Sequence, residues 1–379
     1  MHDSGHPPAA RDSVTPRAAR ALALLASVVL AGSAGARPQK THEITIAASG
    51  DLLIHSPVSA RALGFGGGRW YDFLPMLSRV RPIVRNADLA LCHVETPMGA
   101  GTLSGYPRFN SPRSLALAIK WTGWDACDTA SNHTVDRGQD GIAATLRSLD
   151  RWHIAHTGSA RSAAEARRIL ILPVKGIKVA FLAYAYGTNG LPLPHSWSVN
   201  LIDARRIVAD GLRARRAGAD LVIVNLHAGD EYSHAPSALQ LTTAGYLIAH
   251  HAADVIVGQH VHVVQPIRRM YGHYVVFGEG NLLSNQTPSC CPLGTQDGLI
   301  ALIRVRVEEG RRPQVVGVDY VPTWVEHPNY IVRPVGYALA RGAGGALARD
   351  YRASYWRTVH WAGATKTIRP VPPPGTFTR

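Results

Sequence analysis

Short apolar runs alternate along this chain with longer stretches whose apolar positions recur every three or four residues. Residues 44–48 are almost wholly apolar, as are 89–94, 221–226, 255–258 and 274–277, and 125–130 is a more mixed run leading to Asn132. Such runs, bounded by Gly or polar residues, read as strands. Helical spacing marks 71–85, with Phe73, Leu77, Val80 and Val84 on one face, and 141–152, where Ile142, Leu146 and Leu149 align. Residues 114–121 read as a helix opened by Ser111-Pro112. Residues 201–216 read as an Arg-rich helix with Ile202, Ile207 and Leu212 inward, and 236–251 as another helix. Lys175-Gly176 joins 169–174 to 177–185 as a two-residue hairpin turn, and 299–307 with 314–320 make a second hairpin. Residues 221–226 are apolar but for Asn225, the composition of a strand covered on both faces. No internal repeat or linker interrupts the body, so one α/β domain with a mixed sheet is the simplest architecture.

Five of these segments end on residues that can bind metal: Gly50-Asp51, Val94-Glu95, Ser131-Asn132-His133, Asn225-Leu226-His227 and Gly258-Gln259-His260-Val261-His262. In α/β sheets, ligand sites form where strands end and loops begin. Asp51 can hold a divalent ion or cap a loop. Glu95 ends an interior run, where an acid needs a partner; a carboxylate bridging two cations has one. Asn132 offers a neutral carbonyl oxygen, which leaves His133 free to meet a substrate. His227 reads as a ligand or as a hydrogen-bonded core histidine. His260 and His262 are one residue apart, and in extended backbone such positions point the same way. Mixed nitrogen and oxygen donors suit two divalent transition-metal ions, Mn, Zn or Fe. Two such ions about 3.5–4 Å apart polarise an electrophile and activate water. His133 would then give a proton to the leaving group or stabilise developing negative charge.

The 379-residue chain opens with Arg11, Arg17 and Arg20, an uncharged run over 21–31, and Ala34-Gly35-Ala36. That order reads as a secretory signal peptide over 1–36, its alternative being a retained anchor. The expectation is an exported protein, extracellular or associated with the cell surface. Its body would span 37–330, followed by a partly disordered Pro-rich extension over 331–379. The net charge of +14 favours anionic partners or surfaces. Scattered basic residues without interleaved aromatics argue against nucleic acid. Of the four cysteines, Cys92 and Cys127 can pair if their strands are neighbours, which an oxidising compartment permits. Cys290 and Cys291 are adjacent in a Pro-flanked loop, and no zinc-knuckle spacing is present.

The ordered set Asp51, Glu95, Asn132-His133, His227 and His260-x-His262 resembles the calcineurin-like metallophosphatase superfamily. It is more closely similar to poly-γ-glutamate capsule-synthesis proteins of the CapA type. Residues 50–55, Glu95-Thr96-Pro97, Asn132-His133 with Asp136, Gly138 and Gly141, His227-x-Gly229-x-Glu231-Tyr232 with Pro236 and Gln240, and residues 258–266 carry the likeness, which extends over about residues 44–305. The resemblance implies a four-layer α/β/β/α sandwich of mixed sheets. It also implies a role in making, exporting or anchoring poly-γ-glutamate beside membrane-bound synthesis machinery. Leu53 stands where the superfamily has the His of Asp-x-His, and His55 is the compensating candidate. His93 precedes the acid where the family usually has Asn, and reads as a polar strand residue in preference to a donor beside the metal. Glu231 and Tyr232 are candidates for substrate binding. The competing readings are a secreted phosphoesterase acting on a phosphate-bearing substrate, a polymer-binding protein without turnover, and an amide hydrolase trimming γ-glutamyl chains.

Overall fold

The computed structural model describes residues 41–342 and 345–376. The signal-peptide expectation over 1–36 lies outside them. The chain runs β1 (Thr41–Leu52), α1 (Ser56–Phe65), α2 (Leu74–Leu77), α3 (Arg81–Arg85), β2 (Leu89–Val94), α4 (Leu115–Thr122), β3 (Ala126–Asp128), α5 (Gly138–Arg151) and β4 (Ala155–Thr157). It continues through α6 (Ala163–Ala166), β5 (Leu170–Val174), β6 (Ile177–Ala185), α7 (Ala204–Arg216), β7 (Leu221–His227), α8 (Ala238–Ala249), β8 (Val255–Gln259), β9 (Ile267–Met270), β10 (His273–Val276) and β11 (Asn281–Leu283). The last elements are β12 (Asp297–Glu308), β13 (Gln314–Glu326), β14 (Ile331–Pro334), α9 (Val335–Ala340), α10 (Ala348–Ala362) and β15 (Ile368–Pro370).

The strands form two mixed sheets. The first has the order β14-β13-β12-β1-β2-β3-β4, with β11 added to β1 and β15 to β13; the second has the order β5-β6-β7-β8-β10-β9. In the first sheet, β1 to β4 run parallel. In the second, β6, β7, β8 and β10 run parallel. Alternation in the strands separates two faces. Ile44, Ile46, Leu89 and Leu91 of the first sheet pack against Val179, Phe181, Leu221 and Ile223 of the second. Ala47, Ala90 and Cys92 instead face α1 to α5, and Ala180, Val222 and Val224 face α7 and α8. The result is a four-layer α/β/β/α sandwich, the architecture implied by the resemblance. The predicted donors lie at the ends of five of the parallel strands, β1, β2, β3, β7 and β8.

Local sequence accounts for two departures from the expected elements. The 71–85 stretch is not one helix: Pro75 and Pro82 each sit in the first turn of a short one, α2 and α3. Proline lacks the N–H that would bond the preceding turn, so the apolar register survives but the helix does not. In α7, Ile207, Gly211 and Ala214 are buried whereas Leu212 is exposed, so the inward face lies one position away from Leu212.

Of the extension read from sequence over 331–379, two strands, β14 and β15, join the first sheet. β14 pairs with β13 antiparallel, and β15 pairs with it parallel. Helix α10 reaches back over the sheet: Arg357 clamps the buried Asp297 with two hydrogen bonds of 2.7 and 2.9 Å. Trp361 stacks on His234 at 3.9 Å, and His234 Nδ1 bonds the Val264 carbonyl at 2.7 Å. Cys92 and Cys127 face each other across β2 and β3 and are disulfide-bonded. Among the described residues, no helix is long and apolar enough to cross a membrane.

Candidate metal centre

The strand ends bring the predicted donors into one buried cluster. Asp51 lies at the end of β1, where Gly50 lets the backbone of the 279–281 turn approach closely; a Cβ at Gly50 would sit 1.9 Å from the Gly280 carbonyl oxygen. The Asp51 N–H donates to that oxygen at 3.0 Å. Glu95 follows β2, Asn132 and His133 follow β3, His227 ends β7, and His260 and His262 follow β8. Asp51, Glu95, Asn132, His133, His227, His260 and His262 are all buried.

Two groups of donors share Asp51. In one, Asp51, His93 and His227 each place a donor atom within 4.8 Å of the others; in the other, Asp51, Glu95 and His262 do the same. His93 Nε2 is 3.7 Å from Asp51 Oδ1, and His262 Nδ1 is 3.1 Å from Asp51 Oδ2. Glu95 Oε1 stands between the two groups, 4.0 Å from His227 Nε2 and 3.9 Å from His262 Nε2. Asn132 Oδ1 pairs with His227 Nε2 at 2.8 Å. The His260 ring lies 4.8 Å from that of His227 and 6.1 Å from that of His262.

The donor set fits metal cations. Both Glu95 oxygens, His93 Nε2, His227 Nδ1 and His260 Nδ1 are buried without a hydrogen-bond partner. Buried polar atoms left this way are costly unless something else satisfies them. Burial, and then the Asp51 charge, push Glu95 up to about 7. Burial opposes the charge on His93, but the Asp128 carboxylate and its hydrogen bond, with Asp51 and Glu95 nearby, outweigh it and raise the ring to about 9. Burial and the neighbouring His262 lower His260 to about 3. A cation bound among these groups would relieve the crowded carboxylates and use the neutral imidazoles as ligands.

Sequence reasoning missed or misread several of these parts. His93, taken for a polar strand residue, points into the first group, and Asp128 holds its Nδ1 at 2.8 Å. Glu279 is fully buried and receives Gln259 Nε2 at 2.7 Å; burial raises it to about 8 against that bond. Asn281 accepts from or pairs with His262 Nδ1 at 3.1 Å through its Oδ1. The readable signal was polarity inside apolar strands, at His93 and at Asp128. His55, expected to stand in for the missing Asp-x-His histidine, lies outside both groups. It precedes α1, takes the Asn285 N–H on Nδ1 at 3.3 Å and meets Phe109 edge-on. The His260 and His262 side chains do not converge by strand alternation. Their φ angles are +94° and +60°, a left-handed backbone that L-residues adopt at a cost when surrounding structure demands it.

The mouth of the cluster carries further polar groups. His133 Nδ1 is held by Asp136 Oδ2 at 2.8 Å, which leaves Nε2 as its free nitrogen. Phe109 packs edge-on against the ring at 4.6 Å. Tyr186 is exposed and tilts over His260 at 4.5 Å, and Asn189 accepts from both Asn132 and the Tyr186 hydroxyl. The Tyr232 N–H donates to the Val261 carbonyl at 2.8 Å, and its ring lies 6.1 Å from that of His262. Glu231 beside it is exposed.

Residues 45–286 match the family described as bacterial capsule synthesis protein PGA_cap. The chain is 24% identical over 259 residues to the capsule biosynthesis protein CapA of Bacillus anthracis, covering 65% of this chain and 61% of that one. It is 24% identical over 213 residues to the PGA biosynthesis protein CapA of Bacillus subtilis, covering 55% and 56%. The matched region thus spans somewhat over half the length of these relatives. Among solved structures, the calcineurin-like phosphoesterase YfkN of Bacillus subtilis aligns over 86% of this chain and 99% of that one, at 13% identity and a TM-score of 0.46.

Proposed function

This chain belongs to the bacterial capsule synthesis protein family, and from that premise we propose that it works outside the cytoplasm in making, exporting or anchoring poly-γ-glutamate. We assign it a two-cation centre at its strand ends. One ion would be held by Asp51, His93 and His227, the other by Asp51, Glu95 and His262, with Asn132 and His260 alongside. The single observation that carries the centre is that Asp51 belongs to two three-donor groups at once. Divalent transition-metal ions bound there would polarise a substrate oxygen and ease the deprotonation of water.

The chain's own residues supply the remaining chemistry. Asp136 fixes the His133 ring and its tautomer, so that Nε2 is available for proton transfer to a leaving group. Tyr186 and Tyr232 frame the mouth, and Glu231 and Tyr232 are in reach of a polymer's amide or acid groups. Export is supported by the order of Arg11, Arg17 and Arg20, the 21–31 run and Ala34-Gly35-Ala36. The Cys92–Cys127 disulfide also suits an oxidising compartment.

A phosphoesterase is the second reading. The observation favouring it is the Asp136–His133 pair, which hydrolysis uses and metal retention does not need. The deciding experiment measures the metal content of purified protein and screens γ-glutamyl oligomers against phosphate esters. In parallel, cells lacking the gene are assayed for surface poly-γ-glutamate. Loss of polymer on deletion supports the capsule reading. Intact polymer, together with turnover of phosphate esters only, replaces it with the second.

A further inference from the structure

Part of the positive charge of this chain is taken up in ion pairs. On α7, Arg206 and Arg213 lie at 3.9 and 3.3 Å from Asp210. Arg215 and Arg312 both reach Asp254, at 2.9 and 3.1 Å. Arg304 and Arg369 share Asp319. Other exposed cations, such as Arg205, Arg216 and Arg268, also lack an acid partner among the described residues, but on the helical face over α4 and α5 four such arginines line two adjoining recesses. A groove of 690 Å³ lies between the residues preceding α2 and the loop before α4, lined in part by Arg69, Trp70 and Arg113. A second, of 440 Å³, lies between α4 and α5, lined in part by Arg113, Arg147, Arg151 and Trp152. The two meet at Arg113 and Ser114, and neither is lined by a carboxylate. All four arginines are exposed, and none has a carboxylate partner among the described residues.

The walls of this double groove are fixed. Ser114 Oγ donates to the Tyr71 carbonyl at 2.6 Å, which ties α4 to the segment carrying Arg69 and Trp70. Arg113 Nε donates to the Gly99 carbonyl at 3.3 Å. The first groove also backs on to the cluster: Ser111 in its wall bonds Thr96, the neighbour of Glu95, at 2.8 Å.

From this we infer that the two grooves form one trough that binds an extended polycarboxylate chain. Guanidinium groups match carboxylates two bonds at a time. Successive unpaired arginines along a recess suit a ligand that repeats its charge. The Trp70 and Trp152 rings offer apolar faces to the methylene stems between those charges. The polymer identity, poly-γ-glutamate, rests on the function proposed above; the trough does not.

The test measures binding of fluorescently labelled poly-γ-glutamate of defined length by anisotropy, at several salt concentrations, to the full chain. The variant R69Q/R113Q/R147Q/R151Q should bind at least tenfold more weakly, with a shallower dependence on salt. A control that removes equal charge elsewhere, R205Q/R216Q/R268Q/K366Q, should stay within twofold of the parent, and circular dichroism confirms that both fold. Equal losses in variant and control, or no loss in the variant, overturn the trough. So does tighter binding of anionic lipid vesicles than of polymer through the same four arginines. Polygalacturonate, a polycarboxylate without glutamate, is the second probe. If it binds through the four arginines while poly-γ-glutamate does not bind at all, the trough stands and the capsule reading falls.

Discussion

The two donor groups that meet at Asp51 are built differently. Asp51, His93 and His227 all lie within strands β1, β2 and β7, and their side chains are fully buried. Asp128 holds the His93 ring through Nδ1, and Asn132 Oδ1 meets the His227 ring at Nε2. In the other group only Asp51 is a strand residue. Glu95 follows its strand directly, and His262 sits on a loop with left-handed backbone, beside Tyr232 at the mouth. Sheet register therefore sets the first half, whereas a strained loop sets the second. The inner half is expected to hold its ion more rigidly, and the outer half to be the one that adapts to a substrate.

Removing the shared residue gives the largest effect. Asp51→Asn should take metal content from close to two ions per chain to close to none, read by elemental analysis of the purified protein. Retention of one full equivalent would break the sharing. Next come His93→Ala and His262→Ala, each expected to lose about one ion. The His93 variant should also lower the melting temperature more, because it empties the rigid half. Equal melting temperatures would erase the proposed difference between the halves. Asp128→Asn keeps the ligand but slackens its support. It should weaken binding of the inner ion by about 10–100-fold while leaving the outer site unchanged, as measured by competition with a chelating dye. His133→Ala should leave both halves loaded and lower any turnover by about 10²–10⁴-fold. His55→Ala should change neither metal content nor its affinity; a lost equivalent would return His55 to the ligand set.

Much of this was legible in the sequence, for a topological reason. Parallel strands in an α/β sheet expose their C-terminal ends on one edge, so polar residues following apolar runs converge even when remote in the chain. That logic selected Asp51, Glu95, Asn132, His227, His260 and His262, which the fold gathers in one buried cluster. It failed at His93, because a wholly buried strand gives no alternation from which to read a face. A register shift between Ala48 and Asp51 then re-aims the end of β1 relative to β2, so that Asp51 pairs with His93. Bulges of this kind redirect side chains without any mark in the sequence. His55 failed for the opposite reason: Pro57 starts a helix two residues later and turns the chain away from the strand. The trough over α4 and α5 could not be read at all, since whether an arginine is paired depends on acids distant in sequence. The terminal strands β14 and β15 escaped because they are short, four and three residues, and are held by pairing with β13.

Helix α10 holds Asp297 through Arg357 and rests Trp361 on His234, whose imidazole grips the carbonyl of Val264, two residues past His262. A stop codon before that helix would therefore do more than trim a tail. It would unlatch the turn bearing the outer histidines from nearly a hundred residues away, so that shortened alleles would resemble active-site lesions while keeping every ligand intact.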